Sequence, residues 1–298
     1  MWPSVVKKLA RQRFKKMAKH LAIVEGNHQG LVRTIGGRIY GAAEGFADCL
    51  KALDEELTFR ILRPHFDDYA YAEDVFEGCD GIVFTGSANS WSADEAPAAP
   101  ARQLMRLALS TGRPVFGSCY GLQLAVAVLG GRNQSNPVET EFAIARAISV
   151  NKAGANHPLY KGKAPLFDAR CMHRDEIADL PQGAVSLASN DHSQHQAIAY
   201  EQDGVRFWGV QYHPELSFGD IARYMALNDV DSFSDAKSFA AKHSVEADGP
   251  DVMAEIMADF HQLDEDMPPE LVTKYQLSEA LMDKTAHRCE LINFLAQL

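Results

Sequence analysis

The 298-residue sequence lacks the marks of several large classes of protein. No apolar run approaches the roughly 18 residues that a membrane-spanning helix needs, and no apolar signal core follows the basic first residues. Lysine and arginine are in deficit, 29 against 40 acidic residues, so the net charge of −11 argues against a nucleic-acid surface. These absences predict a cytoplasmic protein that binds small molecules or protein partners, and neither nucleic acid nor a membrane.

Cysteine is sparse, and its five positions are widely spaced without a Cys-x-x-Cys pair. This pattern argues against a zinc ribbon and indicates a reducing compartment. No His-Glu-x-x-His pair occurs, and the polar run at 190–195 is typical of a loop between strands. We therefore expect no metal and no cofactor. Residue type alone keeps the following as candidate metal ligands: His173, Asp175, Asp191, His192 and His195.

The first 20 residues form a basic extension with seven lysines and arginines and no acidic residue. A transit peptide or a tether to an acidic surface has this composition. Met17 lies just before the first strand pattern and is itself a candidate translation start. We interpret residues 1–20 as a dispensable extension.

A cysteine nucleophile elbow is indicated at residues 117–123, which read Gly-Ser-Cys-Tyr-Gly-Leu-Gln. An apolar run precedes them and a helical pattern follows. A sharp strand-to-helix turn needs small residues on both sides, and Gly117 and Gly121 provide that room. Cys119 would then lie at a helix N-terminus, which favours the reactive thiolate. A buried packing cysteine is the alternative interpretation.

A histidine and a carboxylate follow a second apolar strand pattern, at His213 and Glu215. A catalytic imidazole must exchange a proton with the thiol and be oriented through its other nitrogen by an acid. A loop histidine is the alternative for His213. Because both signals occur at strand ends, the sequence predicts a triad of Cys119, His213 and Glu215.

The first half of the chain alternates strand patterns with loops or helical patterns, and residues near 42–53 have helical spacing. Such alternation predicts a parallel sheet with helices on both faces, and ligands at the carboxyl ends of its strands. Cys119 lies at such an end. The predicted strands are 21–25, 57–62, 81–86 and the strand before the elbow, with its apolar run at 114–116.

From residue 142 the strand patterns follow one another closely, which indicates an antiparallel region. Beyond Glu215 we predict a helix at 218–227 and then an acidic, helical tail, clearest at 252–263 and 277–298. The predicted antiparallel strands are 142–145, 185–188, 196–200 and 205–210.

The pattern divides the chain into an extension at 1–20, a main domain at 21–228 and a helical C-terminal extension at 229–298. One apolar face of the tail is expected to pack on the main domain, and a helix for dimerisation or partner docking is the alternative. The residues of that face are Leu281, Ala286, Leu291, Phe294 and Leu298.

Residues 117–123 together with 213–215 resemble the class I, triad-type glutamine amidotransferases, in particular stand-alone proteins similar to the amidotransferase part of GMP synthase. The resemblance covers residues 21–227, about two thirds of the chain. It implies a flavodoxin-like α/β domain that attacks the side-chain amide of glutamine, forms a γ-glutamyl thioester and releases ammonia. Further segments that share in it are 85–87, 129–131, 173–176 and 180–181.

The resemblance also implies roles for single residues. Cys119 would be the nucleophile, His213 the general base and acid, and Glu215 the group that orients His213. The backbone N–H groups of Gly86 and Tyr120 would form the oxyanion hole.

For the neighbouring positions the resemblance is less specific. Gln123 would lie near the bound glutamine, although a solvent-facing helix position is the alternative. His173 and Asp175 would belong to a structural or partner-facing loop near the triad.

The chain departs from a whole GMP synthetase, because it has neither a Gly-x-x-x-x-Gly-Lys-[Ser/Thr] phosphate loop nor a Ser-Gly-Gly-x-Asp-Ser nucleotide motif. Three functions stay open. The first is a glutaminase that passes ammonia to an unidentified synthase partner. The second is a hydrolase of γ-glutamyl amides or peptides, and the third is a non-catalytic regulatory module whose C-terminal helices bind a partner.

Overall fold

The structure, a computed structural model, describes residues 18–67, 70–137, 139–226, 229–242 and 251–298. Its strands, in chain order, are β1 (His20–Val24), β2 (Arg33–Ile35), β3 (Arg38–Tyr40), β4 (Thr58–Leu62), β5 (Gly81–Phe84), β6 (Pro114–Ser118), β7 (Arg132–Ser135), β8 (Glu141–Val150), β9 (Leu166–His173), β10 (Asp175–Asp179), β11 (Val185–Ser189), β12 (Ala197–Tyr200) and β13 (Arg206–Val210). Its α-helices are α1 (Ala42–Leu53), α2 (Ala99–Ser110), α3 (Tyr120–Val128), α4 (Lys152–Ala155), α5 (Phe218–Met225), α6 (Asp229–Lys242), α7 (Asp251–Glu265), α8 (Pro269–Lys274), α9 (Glu279–Met282), α10 (Lys284–His287) and α11 (Cys289–Leu295).

A nine-stranded mixed sheet forms the centre, in the order β4-β1-β5-β6-β13-β12-β11-β8-β9. The strands from β4 to β13 pair in parallel, and those from β13 to β9 pair antiparallel. The predicted parallel sheet with an adjoining antiparallel region is therefore confirmed. Strands β6 and β13 are direct neighbours, with Ser118 opposite Val210. This pairing brings the chain after β6 next to the chain after β13.

Helices cover both faces of the sheet. Successive side chains of each strand point to opposite sides, so the apolar strands present an apolar surface on each face that must be buried. Leu21 and Ile23 of β1 pack in one core with residues of α1 and α11. Ala22 and Val24 pack in a second core with residues of α2 and α3. Every residue of β5 and β6 is buried, as their uninterrupted apolar sequences predict for strands inside a parallel sheet.

Several strands were not predicted from the sequence. Strands β2 and β3 form an exposed hairpin whose turn residues, Gly36 and Gly37, have φ of 57° and 79°. They carry no buried face that would produce an apolar pattern. Strands β7 and β10 form a separate two-stranded sheet. In β9 the polar residues Asp168, Arg170 and His173 interrupt the apolar pattern because their partners come from other elements.

The tail packs on the main domain, as predicted. Phe294 of α11 lies in the core with Leu21 and Phe116, and α5, α6 and α7 share a third core with the start of β8. The segment 277–298, predicted as helical, consists of three short helices, α9, α10 and α11. Asp283 breaks it by accepting hydrogen bonds from the first N–H groups of α10.

Parts of the predicted organisation lie outside the described residues. These are residues 1–17 of the basic extension, and residues 227 and 228, where the main domain was predicted to end. The three-part division of the chain and the dimerisation alternative stay predictions. None of the helices among the described residues combines the length and the apolar character needed to cross a lipid bilayer.

Candidate active site

Cys119 occupies a strained turn between β6 and α3. Its φ of 49° and ψ of −105° are unusual for a residue with a side chain, and it is the N-cap of α3. A Cβ on Gly121 would lie 2.4 Å from the Phe84 carbonyl oxygen, so this position requires glycine. The Cys119 N–H donates to the Val210 carbonyl at 2.8 Å, which ties the turn to the end of β13. The sequence Gly-Ser-Cys-Tyr-Gly therefore folds into the elbow geometry expected from it.

His213 lies beside Cys119 and is oriented from behind by Glu215. The Nδ1 atom of His213 is 2.7 Å from Oε1 of Glu215, and both side chains are buried. Since Glu215 engages Nδ1, the other ring nitrogen remains for the Cys119 thiol, which interacts with the imidazole. Burial alone would lower the pKa of His213, but Glu215 and Cys119 together raise it to about 10. The structure thus brings the three predicted triad residues together.

Ser118 is a member of this group that the sequence analysis missed. Its hydroxyl lies 3.0 Å from both carboxylate oxygens of Glu215 and 3.3 Å from Nδ1 of His213. The sequence signal that could have identified Ser118 was its position directly before Cys119, at the end of a predicted strand. Side-chain alternation in a strand sends neighbouring residues to opposite sides, so Ser118 reaches Glu215 from the side away from the thiol.

Gly86 follows β5 and lies against the Cys119–His213 pair. A Cβ at this position would be 2.5 Å from Cε1 of His213 and 3.6 Å from Cβ of Cys119. The Thr85 hydroxyl accepts from the Gly26 N–H and donates to the Gly86 carbonyl oxygen, both at 2.9 Å, which holds this turn. Tyr120 is the first residue of α3, where backbone N–H groups have no acceptor within the helix. Both predicted donor positions therefore lie next to Cys119.

A cavity of about 460 Å³ opens in front of Cys119. Its size suits a small molecule. It is lined by Ala42, Gly86, Ser87, Ala88, Asn89, Ser90, Trp91, Cys119, Tyr120, Gln123, Thr140, Met172, His173, Arg174, Asp175, His213, Glu215, Leu216, Tyr224 and Asp235. The cavity lies at the carboxyl ends of the parallel strands, as expected for this fold.

Gln123 lies in the wall of this cavity and is buried, so its solvent-facing alternative is wrong. Its Nε2 donates to the Asp175 carbonyl oxygen at 3.0 Å and lies 3.4 Å from Oε1 of Gln211. Gln211 was not singled out from the sequence. Its own amide nitrogen lies 3.6 Å from the Cys119 sulfur. The two glutamines therefore connect the thiol to the segment around Asp175.

His173 and Asp175 are buried at the junction of β9 and β10, next to the triad. The Asp175 carboxylate accepts from Arg174 and from Ser135, both at 3.0 Å. Burial alone would raise its pKa, but Arg174 in particular holds that pKa below its ordinary value.

Among the described residues, one group has the composition of a metal site, namely Glu141, His173 and His192, with ligand atoms within 4.8 Å of one another. Glu141 was not considered from the sequence. Its carboxylate already accepts from His173 at 2.8 Å and from Asn190 and Gln196 at 2.6 Å. These contacts satisfy the carboxylate as a buried hydrogen-bond network.

The other candidate ligands do not join that group. Asp175 pairs with Arg174, and Nδ1 of His195 lies 3.0 Å from the Ser186 hydroxyl. Asp191 is exposed in the loop between β11 and β12, which the sequence predicted as a loop.

The model of the family "Glutamine amidotransferase class-I" matches residues 28–231. A γ-glutamyl-L-1-hydroxyisopropylamide hydrolase of a Pseudomonas species is 39% identical over 153 residues, which are 49% of this chain and 50% of that protein. The GMP synthase [glutamine-hydrolyzing] of Shewanella sediminis (strain HAW-EB3) is 33% identical over 143 residues, 46% of this chain and 26% of that protein. The chain thus spans about half and about a quarter of the length of these two relatives.

A glutamine amidotransferase from Thermotoga maritima has a similar crystal structure, with a TM-score of 0.60. The match covers 94% of this chain and 97% of the other at 15% identity, so it shows the fold. The family match covers well over half of the chain and includes the elbow, the three residues of the predicted triad and Gly86. This chain belongs to the class I glutamine amidotransferase family.

Proposed function

We propose that the protein hydrolyses the side-chain amide of glutamine through a γ-glutamyl thioester on Cys119 and releases ammonia. The observation that carries this proposal is the contiguous group of Cys119, His213 and Glu215 at the floor of a small-molecule cavity. A thiol at a helix N-terminus, paired with an imidazole that a carboxylate orients, is the arrangement needed for nucleophilic acyl transfer. This arrangement also makes the third hypothesis, a non-catalytic module, the weakest of the three.

The first half of the reaction forms the thioester. His213 takes the proton of the Cys119 thiol, and the sulfur attacks the amide carbon, whose oxygen becomes negatively charged. The N–H groups of Gly86 and Tyr120 would stabilise that oxygen, since both lie next to the sulfur. When the carbon–nitrogen bond breaks, His213 returns the proton to the leaving nitrogen, and ammonia departs.

The second half releases the acyl group. Water gives a proton to His213 and attacks the thioester carbon, the carbon–sulfur bond breaks, and glutamate leaves with the sulfur again paired to the imidazole. Glu215 keeps the same ring nitrogen occupied throughout, so His213 can act only through the nitrogen that faces Cys119. We further propose that Gln123 contributes to binding the glutamyl part, because its buried amide lies in the cavity wall.

Release of ammonia in a cell calls for an acceptor, and we propose a separate synthase as the partner of this chain. The relatives named GMP synthase [glutamine-hydrolyzing] support that idea, because their name joins a synthase activity to glutamine hydrolysis. The cytoplasmic location stays a prediction from composition.

A second candidate is hydrolysis of a larger γ-glutamyl amide, with an amine instead of ammonia as the leaving group. It is favoured by the Pseudomonas relative, whose name specifies such a substrate and whose identity to this chain is 39%. The chemistry at Cys119 would be the same in both cases, since only the group on the leaving nitrogen differs.

The two candidates are separated by measuring glutamate release by the full chain from glutamine and from γ-glutamyl isopropylamide. Cys119→Ala is the test variant, and Cys79→Ala, at a buried cysteine away from the cavity, is the matched control. We expect turnover in the wild type and in Cys79→Ala and none in Cys119→Ala. Faster turnover of the isopropylamide would replace the glutaminase assignment with the second candidate. Equal activity in Cys119→Ala would refute both.

A further inference from the structure

Two residues of the C-terminal extension contact the chain on either side of the triad segment 213–215. The Tyr212 hydroxyl donates to Oε1 of Glu290 at 2.6 Å, and Nε2 of His287 lies 3.2 Å from the Leu216 carbonyl oxygen. We call Glu290 and His287 the C-terminal brace. Both lie beyond residue 231, where the family match ends.

The contact at Tyr212 is part of a fully buried ladder of polar groups. Burial and the Glu290 charge hold the pKa of Tyr212 well above its ordinary value, so its hydroxyl keeps a proton to donate. Because that proton goes to Glu290, the Tyr160 hydroxyl at 3.0 Å must donate to Tyr212. On its other side, Glu290 pairs with Lys163 at 3.0 Å, and Lys163 also donates to the Ala286 carbonyl at 2.8 Å.

This ladder fixes Tyr212 more rigidly than packing alone would. Glu290 is 0% exposed, and a buried carboxylate is stable only with its partners in place. A hydrogen bond to a charged group is also about twice as strong as one between neutral groups. The Tyr212 ring is therefore held at one position, directly before His213 in the chain.

The contact at Leu216 closes the other end of the segment. Burial, with the charges of Arg170 and Lys163, holds the pKa of His287 well below its ordinary value, so the ring is neutral and Nε2–H donates to the carbonyl. Arg170 supports the same region through two contacts. Its guanidinium donates to the Leu281 carbonyl oxygen at 2.9 Å, and its backbone carbonyl oxygen accepts from the His213 N–H at 2.8 Å.

We propose that Glu290 is a positioning residue that acts through Tyr212 to hold His213 against Cys119. The proposal rests on the proposed function. The triad segment has no regular secondary structure of its own, so its alignment depends on contacts made from outside it. A displacement of about 1 Å in a catalytic group can lower a rate by about a hundredfold, which makes such support functionally important.

The test compares two variants that each remove one hydroxyl from the same ladder. Tyr212→Phe breaks the link to Glu290, whereas the matched control Tyr160→Phe leaves that link intact. Neither residue lines the cavity. The first readout is the rate of Cys119 alkylation by iodoacetamide, located by peptide mass spectrometry, across the pH range in which imidazoles and thiols titrate. This rate reports the pairing of Cys119 with His213 and needs no substrate.

We expect alkylation of Cys119 at neutral pH to be slower in Tyr212→Phe by on the order of tenfold, with an altered pH profile, and to be nearly normal in Tyr160→Phe. In the amidase assay Tyr212→Phe should lower kcat and leave KM unchanged. His287→Phe, which removes the other contact of the brace, gives an independent second variant with the same expectation.

A wild-type alkylation profile in Tyr212→Phe would overturn the proposal, whatever the profile of His287→Phe. Equal slowing in Tyr212→Phe and Tyr160→Phe would also overturn it, since the ladder would then be merely structural. A failure of the proposed function has a different signature. In that case Tyr212→Phe alters the alkylation of Cys119 as expected, while wild-type protein turns over neither glutamine nor γ-glutamyl isopropylamide.

Discussion

The hydroxyl of Ser118 lies 3.0 Å from each carboxylate oxygen of Glu215. Ser118 is in β6 and Glu215 follows β13, so the contact is made by the pairing of two parallel strands that are far apart in the sequence. A hydroxyl has one proton to donate, and here both oxygens share it. The same carboxylate lies 2.7 Å from Nδ1 of His213, so Ser118 contacts the group that orients the imidazole.

Ser118→Ala should therefore lower kcat without a comparable effect on KM. The variant removes a buried hydrogen bond to a charged group, worth about 1.5–3 kcal/mol, which corresponds to a loss of roughly tenfold to a hundredfold in rate if Glu215 then reorients. Steady-state kinetics on glutamine measures the effect. Ser110→Ala, at the end of α2 outside the cavity, is the matched control. Full activity in Ser118→Ala would show that Glu215 needs no second contact.

Gly86→Ala should strongly lower activity, because the new Cβ would lie 2.5 Å from Cε1 of His213. The ring must move away from the thiol, and the Gly86 N–H must move with the backbone. We expect a fall in kcat/KM of about a hundredfold or more, with secondary structure preserved in circular dichroism. The control is Gly45→Ala in α1, where a Cβ meets nothing nearer than the Tyr40 hydroxyl at 4.0 Å. Equal kinetics in the two variants would contradict this account of Gly86.

Glu215→Gln should reduce the part of the folding stability that comes from protonation of His213. Because the folded-state pKa of His213 is raised from 6.5 to about 10, folding favours the protonated ring. The resulting stabilisation is complete below pH 6.5 and is lost as pH rises through about 10. Replacing the charged partner removes most of it.

The difference in free energy of unfolding between wild type and Glu215→Gln should therefore be larger at pH 6.5 than near pH 10. Denaturant unfolding at both pH values measures it. A difference that grows towards high pH would contradict the raised pKa. In the activity assay the same variant should lose about a hundredfold or more in kcat, because the amide lacks the charge that stabilises the imidazolium.

Gln123→Ala should raise KM for glutamine by about tenfold and affect kcat less, since the side chain lies in the cavity wall and contacts the Asp175 carbonyl rather than the sulfur. Initial rates over a range of glutamine concentrations separate the two constants. Gln202→Ala, at an exposed glutamine, controls for the loss of an amide. A change in kcat alone would place Gln123 in the chemical step instead of binding.

Much of the fold could be predicted because its signals are local. Helix α1 was predicted with the bounds it has, and the uninterrupted apolar runs of β5 and β6 predicted buried parallel strands. The strands β2, β3 and β9 were missed because their residues are exposed or find polar partners in other elements. The tail was predicted as helical without its internal breaks, because apolar spacing does not register an internal cap such as Asp283.

The candidate site divides in the same way. Cys119 could be found because its neighbours Gly117 and Gly121 are required by the turn itself. The burial of Gln123 could not be predicted from the sequence of α3 alone, because the residues that cover it, Asp175 and Gln211, belong to other segments. Glu290 carried no local signal, as its partners Tyr212 and Lys163 lie far away in the chain.

The sequence by itself determined the elbow, the alternation that makes a parallel sheet, and the order of Cys119, His213 and Glu215, because each depends on a few adjacent residues and their backbone preferences. Tertiary structure alone decided that Ser118 faces Glu215, that Gln123 is buried, and that Glu290 lies behind Tyr212. These relations depend on strand pairing and on the docking of α11. Side chains distant in sequence can meet only after the apolar surfaces have been buried together.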